Sequence, residues 1–281
     1  MPVVALRAFQ TSDLPAATAL SAEAFELDIG EPSAADRWLR RVAHPLSTDP
    51  DGAFVAERDG SLIGVAQALR RERLWCLSLL AVAPGAQGAG AGRLLLERAL
   101  AYAGGTDAGL IPSSSDPRAL RLYGLAGFSL LPTFEAAGVL DRSALPRTGA
   151  EVRAGGTADL EALAAISRDV RGAPHTSELE YALSAGARLV RLGDRGFAVA
   201  APGRGVWLLV ARDDDAAAAL LWSALALAET EQPSVRWITA DQQWAVEIVL
   251  RAGLRLVPNG ALGVIGDPGP LRPFLPSGPF A

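Results

Sequence analysis

Leu79-Leu80-Ala81-Val82-Ala83-Pro84-Gly85-Ala86-Gln87-Gly88-Ala89-Gly90-Ala91-Gly92-Arg93-Leu94-Leu95-Leu96 passes from strand to turn to helix without interruption. An apolar run of strand character enters a turn holding Gly85, Gly88, Gly90 and Gly92, then leaves into an amphipathic helix that continues to about Tyr102. Glycines at such a turn let several backbone N–H groups point into one concavity with no Cβ in the way. The helix start adds unpaired N–H donors and a partial positive charge, so the hollow suits a phosphate or pyrophosphate. The bland alternative is a Gly/Ala-rich loop in a chain that uses those residues everywhere.

Two familiar phosphate loops are excluded. A Walker A loop needs a lysine after its glycines, and this sequence contains none. A dinucleotide fingerprint needs Gly-x-Gly-x-x-Gly, whereas Gly88, Gly90 and Gly92 are evenly spaced and Arg93 stands where the last glycine belongs. The bulk of the chain narrows the choice further. At 281 residues it exceeds the usual single-domain size of about 100–150 residues, so two domains are expected. A net charge of −5 argues against nucleic acid or an anionic membrane as partner. No segment approaches the roughly 20 uninterrupted apolar residues of a membrane span, and Met1–Arg7 does not read as a signal peptide. The single cysteine, Cys76, excludes internal disulfides, fits a reducing cytoplasm, and reads as an inert core thiol. With two histidines, one cysteine and no clustered carboxylates, no metal site is expected.

Residues 3–9 read as a strand, followed by a helix from Thr11-Ser12-Asp13 to about Phe25. A second helix is predicted from Ser33 to His44, broken by Pro45, with His44 capping its end. Ala53–Arg58 and Ser61–Arg71 flank Asp59-Gly60 as a hairpin, and Leu74–Val82 feeds the glycine loop. Ala108–Pro112 is a short strand, and a helix from Asp116-Pro117 ends at Gly127. Strands around Phe128–Phe134 and Ala137–Leu140 close the series, and Asp141–Ala150 reads as a linker. The second half repeats this plan faintly, from Val152-Arg153 to a strand at Leu254–Val257. Ala252-Gly253-Leu254 lines up with Ala126-Gly127-Phe128, an offset of 254 − 128 = 126 residues.

The pattern Gln-x-x-Gly-x-Gly at Gln87, Gly90 and Gly92, preceded by Val82-x-Pro84, resembles the acyl-CoA pyrophosphate loop of the GNAT N-acetyltransferase superfamily. Asp116-Pro117-Arg118-Ala119-Leu120-Arg121-Leu122-Tyr123-Gly124-Leu125-Ala126-Gly127-Phe128 resembles its second signature, Asn-x-x-Ala-x-x-Leu-Tyr-x-x-x-Gly-Phe. The element order matches the same fold through about residue 140. The resemblance implies an α/β (α+β) GNAT fold in two tandem GNAT-like domains, residues 1–145 and 151–281, each a mixed, mostly antiparallel sheet flanked by helices.

It further implies transfer of acetyl from acetyl-CoA to a primary amine by direct attack, with Tyr123 as general acid. Leu80, Ala81 and Val82 would offer backbone groups to the pantetheine arm, as an added strand does. Gln87, Gly88, Ala89, Gly90, Ala91 and Gly92 would line the pyrophosphate site. Arg93 either adds charge there or is a solvated first-turn residue. Asp116 departs from the usual Asn: ionised, it cannot donate to the cofactor, and it either keeps a cofactor contact or simply caps its helix. No general base is evident. Glu23, Glu26, Asp28 and Glu31 either serve the acceptor amine or form a solvated acidic surface. Ser113-Ser114-Ser115 either donates near the thiolate or is a polar loop.

In the second half the matching segment is Val210-Ala211-Arg212-Asp213-Asp214-Asp215-Ala216-Ala217. It has no glycines, its carboxylates would satisfy the helix start themselves and repel a pyrophosphate, and Val249 replaces Tyr123. The second domain is therefore expected neither to bind acyl-CoA in the usual way nor to catalyse. His175 reads as a surface loop histidine. The Pro-rich tail, with Leu271, Phe274, Leu275 and Phe280, is either an arm across a surface or a frayed end. A non-catalytic acyl-CoA-binding or sensor protein is the competing function. Expected partners are an amine acceptor and at most a second copy, as monomer or homodimer.

Overall fold

A computed structural model of the chain describes residues 4–146 and 151–281. Residue 3 of the expected first strand and residues 147–150 of the expected linker lie outside these. The chain divides into two compact units, Met1–Arg71 with Trp75–Thr106, and Glu72–Leu74 with Asp107–Ala281.

The first unit runs β1 (Ala5–Ala8), α1 (Leu14–Ala24), α2 (Pro32–Thr48), β2 (Ala53–Arg58), β3 (Ser61–Arg71), β4 (Leu74–Val82) and α3 (Ala91–Ala101). Its strands lie in the order β1-β2-β3-β4, with β1–β2 and β2–β3 antiparallel. Asp59 and Gly60 turn the hairpin in left-handed conformations, φ 52° and 76°, as an Asp-Gly turn demands. Side chains alternate between faces, so Val55, Val65 and Leu79 meet Ala17, Leu20 and Val42 of the two helices on one side. On the other side α3 packs so closely that a Cβ on Gly64 would lie 2.8 Å from Leu95 Cδ1. The helix expected to stop before Pro45 continues to Thr48. Pro45 removes one N–H, yet its carbonyl still accepts from Asp49 N at 2.9 Å, and Ser47 Oγ donates to His44 O at 2.7 Å. His44 thus sits inside a helix and not at its end.

The second unit holds β5 (Ala108–Ser113), α4 (Pro117–Leu125), β6 (Ser129–Ala137), β7 (Arg153–Gly155), α5 (Leu160–Arg171), α6 (Thr176–Ser184) and β8 (Arg188–Leu192). It continues with β9 (Gly196–Ala201), β10 (Gly205–Ala211), α7 (Asp214–Ala226), β11 (Ser234–Thr239), α8 (Gln243–Arg251), β12 (Arg255–Gly266) and β13 (Phe274–Leu275). The element order from β7 to β12 repeats that from β1 to β6. The two nine-residue helices α4 and α8 start 243 − 117 = 126 residues apart, the offset read from the sequence.

The sheet of this unit runs β5-β12-β6-β11-β10-β9-β8-β7. Each series therefore ends in a strand lodged within the other: β12 lies between β5 and β6, and β6 between β12 and β11, all antiparallel. Two local expectations yield to this pairing. The strands expected at Phe128–Phe134 and Ala137–Leu140 are one strand ending at Ala137, and the strand expected to end at Val257 runs on to Gly266. Pro258-Asn259-Gly260 reads as a stop but is absorbed as a bulge between Pro258 and Ala261. Gly260 makes that possible: its φ is 60°, and a Cβ there would lie 2.1 Å from Ser113 O. On one face α7 and α8 bury Leu220, Leu221, Leu225, Ile248 and Val249, each fully buried aliphatic side chain contributing roughly 2 kcal/mol.

Candidate functional site

The glycine loop is built by the first unit alone. After Val82 the chain makes a 3-10 turn over Pro84–Ala86, and Gln87 folds back so that Nε2 donates to Val82 O at 3.1 Å. Gly88 and Gly90 then take left-handed conformations, φ 78° and 89°. A Cβ built on Gly85, Gly88 or Gly90 would find nothing within 4 Å, so their bareness serves no internal packing and leaves the loop backbone open to solvent. Gly90 is the N-cap of α3, and no side chain caps that helix. The first-turn amides are thus open under the positive end of the helix dipole, which fits a diphosphate. Leu80, Ala81 and Val82 are the last three residues of β4, leading into the loop. Ala89 is exposed, whereas Ala91 is buried against the fold. Arg93 is drawn along the helix surface by Glu97, Nε to Oε1 2.7 Å, and stays exposed.

Tyr123 and Asp116 belong to the second unit, both on α4. Asp116 caps the helix, its Oδ1 accepting from Arg118 N at 2.8 Å. The Arg118 guanidinium, 3.0 Å from Oδ2, holds the carboxyl below the usual range, so Asp116 is ionised at neutral pH. Tyr123 is 5% exposed, and burial, seconded by the Asp116 carboxylate, pushes its phenol well above the ordinary tyrosine value. Tyr123 is therefore a neutral hydrogen-bond donor throughout the physiological range. Ser113 is buried and its Oγ donates to Ser114 O at 3.0 Å.

Glu23, Glu26, Asp28 and Glu31 are all exposed, at the end of α1 and in the connection to α2. A cation that the sequence reading missed lies nearby: Arg41 donates to Ser78 O on β4 and stacks over Trp38 at 5.2 Å. The three-residue spacing of Trp38 and Arg41 on a helix was its only signal. Cys76 is buried. Among the described residues no group of three or more His, Cys, Asp or Glu could hold a metal, and no helix is long and apolar enough to cross a membrane.

The corresponding helix start in the second series is capped. Asp213 caps α7, Oδ1 accepting from Ala216 N at 2.9 Å, and pairs with Arg195. A cavity of about 520 Å³ at that end is lined by Arg212, Asp213, Asp214, Asp215 and Asp241, among others. Val249, at the position of Tyr123, is core. The last three residues of β10 are covered by the tail: β13 pairs with Leu209 and Val210, and Ala211 N donates to Pro273 O at 3.1 Å. His175 corrects the sequence reading: it is fully buried, Nδ1 3.0 Å from Ser167 Oγ, beside the rings of Phe197 and Phe274.

No curated protein matches this sequence. The fold is shared with a protein of Pyrococcus horikoshii provisionally named an acetyltransferase, at TM-score 0.82 and 17% identity over 98% of this chain and 94% of that one. A GCN5-related N-acetyltransferase of Sphaerobacter thermophilus follows it at 0.60 and 20% identity, covering 95% of this chain and 96% of its own. Eis1 of Mycobacterium abscessus superposes at 0.55 with 18% identity, over 92% and 73%. The family model described as Acetyltransferase (GNAT) family matches residues 15–128, which take in the glycine loop and the Tyr123 helix. Residues 15–128 of this chain are a domain of the GNAT acetyltransferase family.

Proposed function

We propose that the chain is an N-acyltransferase that moves an acetyl group from acetyl-CoA to a primary amine, with its one cofactor site on residues 80–93. The observation that carries this reading is the uncapped start of α3 after a loop whose glycines leave the backbone bare. Residues 1–145 and 151–281 act as tandem domains, of which the second neither binds the donor nor catalyses. The buried lone cysteine suits a reducing cytoplasm as the place of work.

In the reaction the amine nitrogen attacks the thioester carbonyl carbon and the carbon–sulfur bond breaks. The departing sulfur takes the phenolic proton of Tyr123, and the proton shed by the amine restores it. Ordinary values near 10 for a phenol and 8.5 for a thiol make the first transfer uphill by roughly 2 kcal/mol. Burial of Tyr123 steepens that slope. Tyr123 therefore works chiefly as a hydrogen-bond donor, its proton moving only as the amine's returns.

A second reading, an acyl-CoA sensor without turnover, is favoured by the ionised Asp116 and by the exposure of Glu23, Glu26, Asp28 and Glu31. Calorimetry with acetyl-CoA and with CoA, joined to a thiol-release assay over a panel of amines, separates the two. Binding with release supports the enzyme, binding without release supports the sensor, and no binding removes both.

A further inference from the structure

The tail that covers the end of β10 is held as a bound peptide is held. Phe274 and Leu275 add an antiparallel strand to Val210 and Leu209. From the far side Gln242 reads the Phe274 backbone twice: its Nε2 donates to Phe274 O at 2.8 Å, and its Oε1 accepts from Phe274 N at 2.7 Å. A buried side-chain amide thus supplies the donor and acceptor that a neighbouring strand would supply, and Gln242 is 1% exposed. The side chains have seats as well. Phe274 and Leu275 are buried, and Phe280 packs edge-on against Tyr181 and Trp207 at 5.5 and 5.4 Å. Fully buried Arg171 donates to Phe280 O at 3.1 Å and also to Ala281 O. Gly278 is bare because a Cβ there would lie 2.2 Å from the Trp237 ring.

Sequence explains why this segment sits as a ligand and not as another element. Prolines at 268, 270, 273, 276 and 279 remove N–H groups and fix φ at their own positions, so the segment can form neither a helix nor a full sheet strand. Such a segment loses little conformational freedom on docking. Backbone pairing for affinity and pockets for alternate side chains for selectivity are the terms by which an exposed strand captures a peptide.

We propose that the end of β10, with Gln242 opposite, is a peptide-binding site whose resident ligand is the chain's own segment Leu271–Ala281. Its backbone partners, Leu209 to Ala211, are the last three residues of β10, as Leu80 to Val82 are of β4. On the tandem reading given above, the place where a donor arm is expected in the first series holds a peptide in the second. The site takes a Pro-spaced apolar peptide with an extended Phe-Leu pair at its centre.

The test uses the full chain with a weakened tail, Phe274→Ala with Phe280→Ala, and a fluorescein-labelled synthetic peptide of residues 268–281. The peptide should bind this variant one to one at micromolar concentration, leave the unaltered chain unlabelled, and bind at least tenfold more weakly when Gln242→Ala is added. A folded variant that ignores the peptide, or a peptide displaced by CoA, overturns the proposal. If the variant does not fold, hydrogen exchange on the full chain with its native tail, with and without Gln242→Ala, decides. There Gln242→Ala should speed exchange at the Phe274 and Ala211 amides at least tenfold while β8 amides keep their rates, and equal rates at all of these overturn it.

Discussion

α3 begins after Gly90 with no side chain on its first amides, whereas α7 begins after Asp213, whose carboxylate accepts from Ala216 N. Each helix is the next after a strand, α3 after a loop that holds a 3-10 turn and α7 almost at once, and both start with the same surplus of donors. In the first, small residues leave that surplus uncapped by any side chain. In the second, an acid absorbs it, two more acids follow, and a strand of tail lies on the preceding β10. A helix start is therefore an anion site only when the chain declines to cap it.

The contrast can be broken most severely by importing the second solution into the first. Gly90→Asp brings a capping carboxylate to a position where a Cβ meets nothing within 4 Å, and adds both its charge and the strain of a left-handed φ of 89° to the loop. CoA affinity by calorimetry should fall about 1,000-fold, about 4 kcal/mol, and unchanged affinity would remove the loop from the cofactor site. Next comes the helix that lacks its tyrosine in the second series. Tyr123→Phe should lower kcat about 100-fold with CoA affinity held within about twofold. Because burial raises the folded-state value, the neutral phenol persists, and the rate of the unaltered enzyme should show no loss assignable to Tyr123 up to about pH 10.

Opening the second site is a milder change. Asp213→Ala removes a cap and should cost about 1 kcal/mol by denaturant melts, without creating a second CoA site. The Arg195 guanidinium lowers the Asp213 value in the folded state, so its stabilisation is present above about pH 4 and lost as pH falls. The two chains should therefore converge in stability in acid, and a constant gap would assign the effect elsewhere. Smallest of all, Arg93→Ala should change CoA affinity less than about threefold, since Glu97 already claims that side chain.

Local chemistry made some of this readable in advance. Strand, glycine turn and helix follow one another directly at residues 74–101, Asp59-Gly60 dictates its own turn, and α4 and α8 share a pattern at a fixed offset. What escaped is non-local. Nothing near Leu256 announces that residues 108–113 will extend its strand to Gly266, nor does Pro45 reveal that its neighbours will carry a helix past it. His175 looked like a surface residue because the rings that bury it come from positions 197 and 274. Within the candidate site the glycine turn and the helix after it were legible, while the pairing of Arg93 with Glu97 and of Arg41 with Ser78 depended on side-chain directions that spacing alone leaves open.

The interleaving of β6 and β12 sets an order on synthesis. Ala108 pairs with Gly266, so the strand beginning at residue 108 waits on the ribosome until nearly the whole chain has emerged. A product released after residue 145 would carry β5 and β6 with bare edges, prone to pair with whatever strand comes first. Neither series can be removed without leaving strands of the other unpaired.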